Sequence, residues 1–161
     1  RLKMAETFPL TLAGKEKLEV ELKRLVTEER PAVVKAIEEA RSHGDLSENA
    51  DYDAAKDRQG YIEARISEIQ GQLANAQVIN VSEIQAENVV FGATVKVVDI
   101  DTDKEMQYQI VGVPEADVDK GKISVASPIA RALIGKYIGD QADVKAPGGV
   151  KSYEIVEIQY I

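Results

Sequence analysis

The chain has 161 residues, of which 44% are hydrophobic and 30% charged, and it carries a net charge of −8. That balance describes a folded, water-facing protein rather than a disordered one, and its acidity argues against wrapping duplex DNA, which needs clustered Lys and Arg. The chain has no cysteine, which removes disulfides, thiol catalysis and thiolate zinc sites. No run approaches the ~18 apolar residues of a membrane span, so no membrane partner is expected and the cytoplasm is the expected compartment.

Met4 reads as the natural start, and the first ordered element opens a few residues later. Thr11 is placed to cap a helix that runs on through Lys15 to Arg41. Pro31 deletes one backbone hydrogen bond and crowds the preceding turn, which predicts a kink. It does not predict two separate helices, because an apolar seam continues across it: Leu18, Leu22, Leu25, Glu29, Val33, Ala36, Ala40 and His43. Gly44 fits the left-handed position just past a helix end. Asp45-Leu46-Ser47-Glu48 then reopens a helix that runs to about Ala76, with its own seam of Tyr52, Ala55, Gln59, Ile62, Ile66, Ile69, Leu73 and Ala76. The spacings alternate between 3 and 4, the pattern of a coiled coil. Paired in reverse the two seams match, with the fold-back between residues 47 and 48. A hairpin with about 30 residues a side is about 45 Å long. Towards its end the seam narrows to Ala36, Ala40 and Ala55, which let helices close up but bury little area.

Past residue 76 the period changes. Gln77-Val78-Ile79-Asn80-Val81 alternates, and β-like runs follow at residues 89–91, 94–100, 106–113, 123–126 and 152–159. Turn signals separate them at Asp101-Thr102-Asp103-Lys104, at residues 114–121 and at Pro147-Gly148-Gly149. One short helix, residues 129–133, is opened by Ser127-Pro128 and closed by Gly135. The expected architecture is therefore two-domain α+β. An antiparallel α-helical coiled coil covers residues 4–80, with an acidic tip at 45–48, and a small domain with a largely antiparallel sheet and one short helix covers 81–161.

The candidate chemistry concentrates at the tip. Asp45 followed three residues on by Glu48 is a capping-box variant, and acids suit a helix N-terminus. The same two carboxylates at the end of a rod can also be presented to a partner. Asp45, Ser47, Asn49 and Asp51 alternate like a calcium loop, but Ala50 stands where that loop needs Gly and Lys56 where it needs Glu. One or two carboxylates can complete the shell of a Mg²⁺ that other groups already hold. His43, the single histidine, suits a helix C-terminus and leaves no Ser/His/Asp set to assemble. Arg41, Lys56 and Arg58 form a small basic cluster nearby. It is either a paired, solubilising surface or a groove for single-stranded nucleic acid.

Gly44-Asp45-Leu46-Ser47-Glu48-Asn49-Ala50-Asp51-Tyr52-Asp53-Ala54-Ala55 resembles the hairpin tip of the bacterial transcript cleavage factors of the GreA/GreB family. Ile123-Ser124-Val125-Ala126-Ser127-Pro128-Ile129-Ala130-Arg131-Ala132-Leu133-Ile134-Gly135 resembles that family's second signature, and Phe91-Gly92-Ala93-Thr94-Val95 and Pro147-Gly148-Gly149 also fit. The resemblance covers residues 10–161. The second half, with 8 basic and 13 acidic residues over 81–161, fits the GreA branch better than the more basic GreB branch.

The resemblance implies an FKBP-like C-terminal domain without isomerase activity and a chain that is a monomer when free. The implied partner is bacterial RNA polymerase, with the globular domain at the rim of its secondary channel. The coiled coil would pass down that channel to the extruded RNA 3′ end. Asp45 and Glu48 are implied to help hold the second catalytic Mg²⁺ and to orient the attacking water, with polymerase as the enzyme. No cofactor of the chain's own is implied, the Mg²⁺ being held mainly by polymerase. Arg41 and Lys56 match the region of a basic patch that contacts the extruded RNA. Two competitors stand beside this reading: a relative that enters the same channel but inhibits synthesis, and a coiled-coil adaptor with no catalytic consequence. The Asp-Leu-Ser-Glu tip disfavours the first.

Overall fold

The computed structural model describes residues 6–44 and 49–161. They form two compact units: Lys15–Asn75 is one, and residues 6–14 with Ala76–Ile161 are the other.

The first unit is helical. Helix α1 (Leu12–Arg24) passes into a π segment (Leu25–Glu29) and on into α2 (Arg30–Arg41), and α3 (Ala50–Asn75) returns alongside. Pro31 is accommodated by the π segment just before it. Its ring would press on the carbonyl four residues back. The wider turn, in which the Arg30 N–H donates to the Leu25 carbonyl, opens that crowded stretch. The extra residue in this turn also moves the seam. The buried residues of the outgoing helix are Leu18, Leu25, Val33, Ile37 and Ala40. Ile37 takes the place that simple alternation assigns to Ala36, which is exposed. On α3 the expected seam holds, with Ala55, Ile62, Ile66 and Ile69 buried.

Ion pairs flank this strip. Arg65 donates to both carboxylate oxygens of Glu21, at 2.6 and 2.8 Å, and Arg30 does the same to Glu63, at 2.8 Å through each nitrogen. Such bidentate forks fix geometry better than single contacts do. Arg58 reaches Glu29 at 3.1 Å. From Glu21 with Arg65, through Arg30 with Glu63, to Ala40 with Asn49, partners on α3 move back along the chain as those on the outgoing helix move forward, which defines an antiparallel hairpin.

The second unit is a five-stranded sheet with a short helix. Its strands are β3 (Thr94–Asp99), β4 (Glu105–Val111), β5 (Lys122–Ser124), β6 (Gln141–Ala146) and β7 (Gly149–Gln159), and α4 spans Pro128–Leu133. The order is β5-β4-β3-β7-β6. The pairs β3–β4, β3–β7 and β6–β7 are antiparallel, while β4–β5 is parallel. The sheet is thus largely antiparallel, as expected, with β4–β5 its one parallel pair. The long connection through two 3₁₀ turns, Val113–Glu115 and Val118–Lys120, carries the chain back so that β5 enters in the direction of β4. One face of the sheet, with α4, encloses a core of Val89, Val95, Val97, Ile110, Leu133 and Ile155.

Residues 89–91 do not form the expected strand. The Val89 N–H donates to the Lys136 carbonyl and its own carbonyl accepts from Gly135 N–H, so the segment is tied to the loop after α4 instead. The same unit holds a second, two-stranded parallel sheet of β1 (Phe8–Thr11) and β2 (Ala76–Ile79). The compact unit thus reaches back to residues that the expected 4–80 segment assigned to the coiled coil. A carboxylate secures that strand: Glu115 accepts from the backbone N–H groups of Thr11 (3.0 Å) and Gly112 (2.9 Å) and from the Thr11 hydroxyl. The Thr11 hydroxyl in turn caps α1 by accepting from Gly14 N–H at 3.0 Å, as its position in the sequence predicts. Gly112 is required by contact, since a Cβ there would lie 2.4 Å from the Pro9 carbonyl oxygen.

The flanking ion pairs give the hairpin a defined pH dependence. The Arg65 guanidinium bonded to Glu21 holds that carboxyl below its ordinary value of 4.5, so the unfolded chain takes up the proton first as pH falls. The contribution of Glu21 is complete above about pH 4.5 and is lost as pH drops through the lower folded value. Because the pair is partly exposed, the effect is small. Chemical denaturation of the protein between pH 3 and 6, followed by helical circular dichroism, is expected to show stability rising with pH, and Glu21→Gln is expected to flatten part of that rise.

The hairpin end as candidate functional site

The end of α2 closes tightly. Ser42 N–H is shared between the Glu38 and Glu39 carbonyls, and its hydroxyl donates to the Glu39 carbonyl at 2.6 Å. His43 N–H donates to the Ala40 carbonyl and Gly44 N–H to that of Arg41. Gly44 has φ +98°, which a side chain at that position would strain. Helix α2 thus ends where Gly44 predicts.

The chain returns at Asn49. Its side-chain oxygen accepts from Tyr52 N–H at 3.1 Å, the bond by which an N-cap satisfies a free amide of the first turn. Its amide nitrogen donates to the Ala40 carbonyl at 2.6 Å. One side chain therefore caps α3 and ties it to the last buried residue of α2. Asp51 and Asp53 in the first turn of α3 place negative charge where the helix dipole favours it.

Sequence reasoning missed Asn49. The signal was present, since Asn directly before an apolar-periodic run is an N-cap pattern. It was masked by the Asp45-to-Glu48 spacing four residues earlier, which fits the more familiar capping box. Asp45 and Glu48 themselves, with the fold-back point, lie outside the described residues. Arg41 and Lys56 are both exposed. Lys56 donates to the Gln59 side chain at 3.1 Å, and among the described residues neither has a carboxylate at ion-pair distance. Arg58 is different: besides pairing with Glu29, its guanidinium lies 5.7 Å from the centre of the Tyr61 ring. It braces the hairpin rather than standing open to a ligand. His43 is exposed at the helix C-terminus.

Elsewhere the described residues offer little for chemistry. No group of three or more His, Asp or Glu among them is placed to hold a metal ion, and no described helix is long and apolar enough to cross a membrane. A cavity of about 350 Å³ opens beside Thr94, Gln107, Gln109, Lys120 and Lys122, with no histidine or side-chain carboxylate in its wall to move a proton. The second signature is structural in its local geometry. The Ser127 hydroxyl donates to the Ser124 carbonyl and accepts from Ala130 N–H, so α4 is capped, and Ala130 and Leu133 are buried beneath it.

Comparison with known proteins covers nearly the whole chain. Residues 8–78 match the family described as transcription elongation factor, N-terminal, and residues 84–160 match its partner, transcription elongation factor, GreA/GreB, C-term. The "Transcription elongation factor GreA" of Phenylobacterium zucineum is 59% identical, over 97% of this chain and 99% of that protein. The protein of the same name from Ralstonia nicotianae is 60% identical, over 96% and 99%. Among solved structures, the GreA factor homolog 1 (Gfh1) protein of Thermus thermophilus is 30% identical, with 96% of this chain and 99% of that one covered and a TM-score of 0.44.

Proposed function

This chain belongs to the GreA/GreB family of transcription elongation factors, and we propose that it binds bacterial RNA polymerase and stimulates the polymerase's own cleavage of backtracked RNA. What carries the reading is the placement of the tip run. Within the run Gly44 to Ala55, which resembles the family's cleavage tip, Gly44 follows the end of α2 and Asn49 caps the start of α3, at the end of an antiparallel hairpin where Asn49 is tied to Ala40. In this reading the hairpin enters the secondary channel and brings Asp45 and Glu48 to the extruded RNA 3′ end. The catalytic centre stays with the polymerase.

The two carboxylates suit that role chemically. They are hard oxygen donors of the class Mg²⁺ takes. Two carboxylates would supply only part of the ligands such an ion needs, so the polymerase would hold most of it and Asp45 and Glu48 would complete its shell. When bound, the ion lowers the pKa of attacking water and stabilises charge on the phosphodiester. The chain's own carboxylates orient that water by accepting its hydrogen bonds. Arg41 and Lys56, exposed on either side of the turn, supply positive charge for the RNA backbone, and the protein acts as a monomer in the cytoplasm.

A backtracked elongation complex incubated with the protein is expected to yield shortened RNA with a new, extendable 3′ end. Asp45→Ala and Glu48→Ala are each expected to lower the cleavage rate by at least ~100-fold, the scale of losing one transition-state electrostatic contact, while polymerase binding stays within about twofold. Binding lost in step with cleavage would return both acids to a structural role. The double change Arg41→Ala with Lys56→Ala is expected to weaken crosslinking to the extruded RNA several-fold, and unchanged crosslinking would remove these residues from the RNA path.

A further inference from the structure

We infer that Asn49 is a positioning residue for Glu48, its neighbour in the chain: it ties the start of α3 to the end of α2 and so fixes the point from which Glu48 is presented. This rests on the cleavage reading above but adds a residue and a mechanism to it.

The inference starts from what the hairpin lacks near its end. Beyond Ile37 and Ile62 the buried seam residues are Ala40 and Ala55, with Tyr52 half-buried, and two alanines bury too little area to hold two helix ends together. Asn49 supplies the missing tie with one planar amide. Its oxygen faces Tyr52 N–H at 3.1 Å and its nitrogen faces the Ala40 carbonyl at 2.6 Å, so neither end can shift without breaking a bond to the other. Ala40 is only 3% exposed, which keeps its carbonyl from taking water as an easy substitute. Asn is the residue that does this. Asp and Ser can cap a helix but have no N–H₂ to donate, and Gln carries the amide one methylene further out. Glu48 is bonded directly to the residue so fixed. A reacting group displaced by about 1 Å can cost 10²-fold in rate, so a polar pin at this point has catalytic value that packing alone does not supply.

The test separates the pin from the cap. Asn49→Ser and Asn49→Asp keep an oxygen for Tyr52 N–H and lose the donation to Ala40. Asn49→Ser introduces no charge and so controls for the acid added by Asn49→Asp. Transcript cleavage is measured against factor concentration on a defined backtracked complex. Both variants are expected to keep the wild-type concentration for half-maximal effect, while the rate at saturating factor falls ~10-fold, within the range a small misplacement produces. Independently of activity, amide exchange at His43, whose N–H shares the Ala40 carbonyl, is expected to speed up in both. Asn49→Ser cleaving at the wild-type rate at saturation would overturn the inference, as would a loss confined to the half-maximal concentration. If wild-type protein gives no cleavage, the functional reading fails as well, and His43 exchange still reports whether the pin exists.

Discussion

Two helices packed side by side share only one narrow strip, and everything in the helical unit follows from keeping that strip continuous. A globular core can lose a contact and still enclose its neighbours; a two-helix hairpin has no second layer to fall back on. Leu25, Val33, Ile37, Ile62, Ile66 and Ile69 form the strip, and its phase has to survive Pro31. The π segment achieves this by absorbing one extra residue where the proline would otherwise break the helix. The bidentate forks of Arg65 on Glu21 and Arg30 on Glu63 then stand guard on the flanks, where they set alignment more than they add stability.

The strip weakens towards the end of α2 and the start of α3. Large side chains give way to Ala40 and Ala55, so the helices come close at little gain in buried area. At that point side-chain hydrogen bonding takes over from packing. Asn49 joins the two helix ends, and Ser42 and Gly44 stop α2 sharply. The opposite end of α1 has a matching device, in which Glu115 gathers the Thr11 and Gly112 amides and Thr11 caps the helix. Both ends depend on polar groups satisfied in full, which are costly to disrupt once partly buried.

Much of this is legible in the sequence because a coiled coil writes its contacts into spacing. The α3 seam, the stop at Gly44, the Thr11 cap and the Ser127-Pro128 helix start each rest on a local rule, and each stands in the structure. What escapes is non-local. Ile37 replaces Ala36 because a π turn is a response to proline that spacing does not encode. The strand of residues 8–11 is short, contains Pro9 and gains its identity only by pairing with residues 76–79. The strand Gln141–Ala146 is built from weak β formers and is held by β7 beside it. Asn49 was overlooked because a stronger local pattern stood four residues earlier, on the residues whose chemistry only family resemblance brings out.

The central claim is that carboxylates of this chain complete a metal shell inside another protein's active site. The most direct measurement is a Mg²⁺ titration of factor-stimulated transcript cleavage, at saturating factor, comparing wild type with Glu48→Gln, which keeps the shape and removes the charge. The account predicts that the variant needs several-fold more Mg²⁺ for half-maximal cleavage, while cleavage by polymerase alone is unchanged. An identical Mg²⁺ midpoint and an identical maximal rate for the two proteins would contradict it.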